Sequence, residues 1–181
     1  MCRAETEILL NSKNINFGTW GQGESKTLQH LLDELASGES TLEINGSDRV
    51  VRKVEGSAVN IYYTLYQGKT LQLVEEKQVF NGDRVRKRNI NTSIGEKMRP
   101  EELPMEAGIR AMQEELKISD VTLTPIRTEH RDLVASTSFP GLWTKNTIHI
   151  FETYLNTEQF KPEGYMEIQK DKTTYFIWVE I

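Results

Sequence analysis

The chain of 181 residues has a single cysteine, Cys2. Without a second thiol, an intramolecular disulfide and a zinc site built on cysteines are both excluded, and the composition fits a reducing, cytoplasmic compartment. Long apolar runs are missing as well: no stretch approaches the roughly 20 residues that a membrane span requires. The opening "MCRAETEILLNSKN" carries acids where a targeting segment carries arginines. Positive charge is in deficit, with 22 Lys and Arg against 27 Asp and Glu, for a formal net charge of -5. Such a surface repels nucleic acid and anionic membranes except at a local basic patch. His30, His130 and His149 share no metal-ligand spacing and read as structural or surface residues. With 5 prolines, and neither repeats nor low-complexity segments, the composition is that of one soluble globular domain.

What is present is an alternation of element signals. "SKTLQHLLDELASGES" sets Leu28, Leu31, Leu32 and Leu35 at helical spacing, with Ser25 as the expected N-cap and Gly38 as a stop. From Thr41 to Phe80 the pattern turns to β-rich runs, "VNIYYTLY" and "TLQLVEEKQVF", joined by a turn. Asn81-Gly82 predicts a two-residue hairpin turn leading into "DRVRKRNI". "NTSIGEKMRPEEL" reads as a loop, and Pro104 as the first residue of a helix reaching about Lys117, with Ile109, Met112 and Leu116 as its buried stripe. "DVTLTPIRTEH", "NTIHIFETYL" and "TTYFIWVEI" read as further strands. The order predicts a mixed sheet with helices packed on it.

The chemistry-bearing residues gather around that helix. Glu102 in the loop, then Arg110, Glu114 and Glu115, offer oxygen ligands of the kind magnesium and manganese take, and Arg110 stands four residues from Glu114, on one face. Acids and bases four apart also describe any solvated helix, so spacing alone leaves both readings open.

"GEKMRPEELPMEAGIRAMQEELKI", Gly95 to Ile118, resembles the signature of the Nudix hydrolases. With the register anchored on Arg110, the matching residues are Glu102, Arg110, Met112, Glu114, Glu115 and Ile118; Glu96, Ala111 and Lys117 stand where the family has Gly, Glu and Gly. A weaker likeness is "SFPGLW", which is similar to the Ser-Pro-Gly loop of the ADP-ribose pyrophosphatase branch. The resemblance implies an α/β (α+β) fold, a Nudix-type α/β/α sandwich with a mixed sheet. Residues 1–40 are then an N-terminal extension with one helix, and 41–181 the Nudix-like domain.

The implied activity is pyrophosphatase chemistry: hydrolysis of a nucleoside diphosphate linked to another moiety, with Mg2+ or Mn2+ as cofactor. Glu114 and Glu115 are implied metal ligands, Glu102 an outer carboxylate, and Arg110 the residue that orients the glutamates. Ala111 leaves the helix one acid short, and Glu96 is the expected replacement. The alternative is a catalytically inactive Nudix-fold module that binds a nucleotide-like ligand or a protein partner.

Arg84, Arg86 and Arg88 share a strand face by period two, either to engage substrate phosphates or as a solvated basic face. Phe139 and Trp143 either stack on a base or pack on neighbouring strands. Leu103 cannot cap a helix, which leaves Glu101 or Glu102 to do so. The family usually closes its sheet with one more helix; here the leucine-striped helix covers that face, or a second copy does, making a homodimer.

Overall fold

A computed structural model describes residues 1–88 and 92–181. Asn89, Ile90 and Asn91, the end of the expected second hairpin strand and the start of the loop after it, lie outside the described residues. The described residues form an α+β fold with three α-helices, α1 (Arg3–Ser12), α2 (Leu28–Ala36) and α3 (Pro104–Ala111), and nine strands. These are β1 (Ser40–Ile44), β2 (Val50–Thr64), β3 (Thr70–Phe80), β4 (Val85–Arg86), β5 (Ile94–Lys97), β6 (Thr124–Ala135), β7 (Trp143–Tyr154), β8 (Tyr165–Ile168) and β9 (Lys172–Glu180).

The strands belong to one sheet ordered β6-β7-β2-β3-β9-β8, with β1 and β5 also paired to β2 and β4 to β3. It is mixed, as the sequence predicts. Arg49, just before β2, lies over the Trp143 ring at the start of β7, and Leu155 at the other end of β7 donates its N–H to the Tyr62 carbonyl. Residue numbers rise together along these two strands, so they run parallel. The pairs β2–β3, β3–β9 and β8–β9 are antiparallel. No helix among the described residues is long and apolar enough to cross a membrane.

Three hairpins share one turn design. Asn45, Leu65 and Phe80 each donate their N–H to the carbonyl four residues on, and the third loop residue (Asp48, Gly68 or Asp83) is left-handed, with φ of 61°, 80° and 61°. This is the three-residue loop whose left-handed last position matches the twist of the strands. The expected two-residue turn at Asn81-Gly82 is therefore one residue longer, with Gly82 at φ 86° and Asp83 after it both in positive φ.

The contacts gather into two compact units. The first comprises Met1–Gly56, Lys97–Glu102 and Glu129–Ile148. Leu10, Ile15, Trp20, Leu31, Val50, Phe139 and Leu142 form its core. The N-terminal segment holds two α-helices, not one, and α2 is capped by Thr27, whose hydroxyl accepts from the His30 N–H, not by Ser25. One buried carboxylate organises polar groups here: Glu34, on α2, receives Arg52 Nε at 2.9 Å, Lys26 Nζ at 2.8 Å and Lys97 Nζ at 2.7 Å.

The second unit comprises Ser57–Glu96, Leu103–Thr128 and His149–Ile181. Its core includes Val59, Ile61, Leu73, Ala111, Met112, Leu116, Phe151, Tyr165 and Phe176. α3 begins at Pro104 as its missing N–H favours, and the Glu106 carboxylate reaches back to the Leu103 N–H at 2.9 Å. The Glu102 carboxylate accepts from the Arg99 N–H at 2.8 Å. Gly108 lets α3 lie close to the sheet, since a Cβ there would stand 2.7 Å from Leu123 Cδ1 and 3.0 Å from Ser57 Oγ. The helix does not continue as α to Lys117: Met112–Leu116 widens into a π-turn, closed by Lys117 at φ 63°.

Candidate active site: a carboxylate cluster beside a widened helix turn

The π-turn decides which residues of "RAMQEELKI" face inward. In a regular helix Glu115 stands above Ala111, four residues before it. With hydrogen bonds closing over five residues, Leu116 takes the place above Ala111, and both are core residues at 3% and 0% exposure. Ala111 is therefore where an apolar side chain belongs, and Glu115 is turned aside toward the sheet. Glu115 itself is largely buried, and that burial, with Glu167 and Glu96 close by, pushes its carboxyl up to about 8; the Gly95 N–H and Arg88 pull the other way.

Glu96 stands on β5 and not in a loop as expected. The backbone around it pairs with β2, as shown by the Ser93 N–H on the Val59 carbonyl at 3.1 Å. This fixes Gly95 and Glu96 beside Glu115.

Two residues the sequence reading passed over complete the cluster: Glu75 and Glu167. A register shift between Glu75 and Lys77 inserts a bulge in β3. Residues three apart on a regular strand point to opposite faces, but the bulge turns Glu75 and Gln78 inward together, at 7% and 2% exposure. Gln78 Nε2 donates to the Glu75 carboxylate at 3.3 Å. Cross-strand registers then lay out two inner rows, Glu75–Phe176–Tyr165 and Gln78–Thr174–Glu167, over β3, β9 and β8. Both acids lie in the phase of buried apolar neighbours, Glu75 two residues after Leu73 and Glu167 two after Tyr165. That was the signal available in the sequence.

Arg88 donates from Nε to Glu75 Oε1 at 2.8 Å and from Nη2 to the other carboxylate oxygen. This hydrogen bonding holds the guanidinium above its ordinary range against the cost of burial, with Glu115 and Glu167 adding to the field. Arg88 is thus paired with a buried carboxylate, with 38% of its own side chain exposed. Arg86 pairs with Gln78 in the β3–β4 ladder, and Arg84 lies over the Phe80 ring at 4.2 Å. β4 is only two residues long, so the three arginines do not line one strand face.

The remaining expected site residues are placed as follows. Arg110 Nη1 meets Glu114 Oε2 at 3.4 Å, with Glu114 half-exposed. Glu102, in the first unit, lines a cleft of about 460 Å³ with Glu39, Lys53, Arg99 and Lys145. Phe139 is fully buried, with Trp20 at 5.2 Å and Arg52 over its ring, so it has no face for a base. Its loop is tied down by the Trp20 Nε1–Pro140 carbonyl bond at 3.0 Å. Trp143 already carries Arg49 at 4.2 Å. Phe139 therefore packs, whereas Trp143 is half-buried beneath Arg49. Among the described residues, no group of three or more His, Cys, Asp or Glu residues is set to hold a metal ion.

No protein-family model matches the chain, and no curated protein matches its sequence. Similar solved structures include the Nudix domain of Shewanella oneidensis NrtR complexed with ADP ribose, at 8% identity and TM-score 0.42, covering 71% of this chain and 73% of that one. An Ap4A hydrolase from C. elegans is similar at 17% identity and TM-score 0.40, covering 70% and 79%. A Nudix hydrolase from M. smegmatis is similar at 13% identity and TM-score 0.36, covering 77% and 79%.

Proposed function

We propose that this protein is a Nudix-type hydrolase, a Mg2+- or Mn2+-dependent pyrophosphohydrolase acting on a nucleoside diphosphate linked to another moiety. The observation that carries the reading is that burial, with Glu167 and Glu96 near it, pushes the Glu115 carboxyl up, on a segment that resembles the Nudix signature and lacks its acid at Ala111. Carboxylates pressed together out of water are stable only if one is protonated or a cation joins them. Their all-oxygen donor set fits a hard divalent ion, which supplies charge neutralisation on a pyrophosphate and an activated water when bound.

The chain's own residues do the rest. Gly95 holds one Glu115 oxygen through its N–H, and Glu75 and Arg88 fix a positive charge at the back of the cluster. Arg110 keeps Glu114 near the helix end. The substrate is a nucleotide-like small molecule. The apolar side chains Met166, Ile168, Ile177 and Val179, all exposed on β8 and β9, support pairing of two copies. The lone cysteine supports a cytoplasmic site of action.

A second reading, a binding module without catalysis, is favoured by one observation: Ala111 sits in the core, so the helix has no place for its third acid. Release of phosphate or nucleotide from ADP-ribose, dinucleoside polyphosphates, NADH and nucleoside triphosphates, with Mg2+ or Mn2+, separates the two. Turnover that disappears in Glu115→Gln supports the hydrolase. Ligand binding by wild type with no turnover on any of these substrates supports the module.

A further inference from the structure

We infer that the sheet face turned away from α3 binds a guanidinium group through Asn60 and Tyr62 of β2 and Glu152 and Tyr154 of β7, and that its partner is a polypeptide presenting an arginine. Val59 and Ile61 lie in the core with Ala111 of α3, so by strand alternation Asn60 and Tyr62 point to the opposite face. The Tyr62 and Tyr154 rings lie 5.2 Å apart. Because β2 and β7 run parallel, Asn60 and Glu152, each two residues earlier, are neighbours on that face too. All four residues belong to the second unit, and none is part of the cluster around Glu115.

Asn60 is 8% exposed, and its Oδ1 is buried without a hydrogen-bond partner. Leaving a buried amide oxygen unpaired is costly, and a donor brought by a ligand accounts for it. Beside it, Glu152 and the Tyr62 and Tyr154 hydroxyls form no hydrogen bond or ion pair among the described residues. Burial, with Glu152 close by, holds the Tyr62 hydroxyl above its usual range, so it stays protonated and neutral. An unopposed carboxylate, an amide oxygen and two ring faces suit a flat cation with many donors and no acceptor. Guanidinium is that group: its fork matches Glu152, its plane stacks on a tyrosine, and a remaining N–H is left for Asn60. An ammonium lacks the plane, and a nucleobase brings acceptors that a carboxylate repels. Tyr62 and Glu152 are half-buried and Tyr154 is exposed, so the ligand enters at Tyr154 and the side chains over Asn60 part to admit it. Arg127 on β6 bears on Tyr62 in the opposite sense to Glu152, and its removal favours a bound cation.

The test is calorimetric titration with the end-capped tripeptide Ala-Arg-Ala, its analogues with lysine or citrulline at the centre, and guanosine. The proteins are wild type, Glu152→Gln, Asn60→Leu, Arg127→Gln and the exposed control Glu158→Gln. Thermal melts check that each variant folds; Asn60→Leu removes an unpaired buried carbonyl and is expected to melt no lower than wild type. Wild type is expected to bind the arginine peptide, with the Kd raised at least about tenfold by Glu152→Gln and by Asn60→Leu. Arg127→Gln is expected to bind more tightly and Glu158→Gln as wild type does. The citrulline peptide, which keeps the shape and loses the charge, is expected not to bind. No binding of the arginine peptide by wild type, equal binding of the citrulline peptide, or undiminished binding by Glu152→Gln overturns the inference. Binding of guanosine alone overturns it in favour of a base.

Discussion

Arg88 Nε donates to Glu75 Oε1 at 2.8 Å, and the Glu75 side chain is 1% exposed. The guanidinium is the charged partner of this carboxylate inside the second unit. Arg88→Gln leaves Glu75 with only the Gln78 donor among the described residues, and removing the partner of a buried acceptor from a part-exposed side costs about 1 to 3 kcal/mol. Urea unfolding of the variant is expected to show a loss of that order. A loss under about 1 kcal/mol contradicts the pairing as a structural element.

Glu115 gives the metal-free protein a particular pH dependence. Its carboxyl, at about 8 in the fold against an ordinary value of 4.5, binds a proton more tightly folded than unfolded. The stability it lends is full below pH 4.5 and is lost as pH rises through 8. Glu115→Gln is expected to flatten this decline, measured as the melting temperature from pH 5 to 9 without metal. An identical slope in wild type and variant removes the claim.

Glu34 works in the opposite sense. Burial disfavours its charge, but Arg52, Lys26 and Lys97 outweigh that cost and hold the carboxyl at about 2. Its contribution is present above pH 4.5 and is lost as pH falls toward 2. Glu34→Gln leaves three cations facing a neutral amide, so a loss of about 3 kcal/mol at pH 7 is expected, with less acid sensitivity below pH 4.5. Chemical denaturation at pH 7 and pH 3 reads both effects.

Ala111→Glu restores the signature on paper, yet Ala111 is 0% exposed among Val59, Met112 and Leu116. A carboxylate without a partner in that core costs several kcal/mol or stays protonated. The expected outcome is a destabilised protein with no gain in turnover. A variant that melts like wild type and hydrolyses faster shows that the helix turns otherwise.

Lys117 is left-handed at φ 63°, at the position where the Nudix pattern has glycine. A non-glycine residue there is strained, while Lys117 Nζ recovers part of the cost by bonding the Glu114 carbonyl at 2.9 Å. Lys117→Gly is expected to stabilise by about 0.5 kcal/mol, read as a raised urea midpoint. A loss of 1 kcal/mol or more means the lysine contact outweighs the backbone.

Strongly periodic features were legible. The leucines of α2, the start of α3 at Pro104 and the mixed sheet follow from spacing and from a proline that has no N–H to lose. Glu96 was singled out through two departures from one pattern, but as a loop residue, and it stands on β5. The π-turn was not, because nothing in "MQEEL" separates a five-residue closure from a four-residue one; packing of Leu116 over Ala111 selects it. Phe139 looked available for a ligand because a loop motif carries no burial, and burial depends on Trp20 and Leu10 from far along the chain.

The sequence by itself determined the leucine-striped helix, the start of α3 and the acids near it, since these depend on local periodicity and residue type. Which acids meet was decided only by tertiary structure. A single bulge in β3 turns Glu75 and Gln78 to one face, and the β3–β9–β8 register carries Glu167 beside Thr174. Strand register is a long-range choice made by the whole sheet, and no local stretch of residues encodes it.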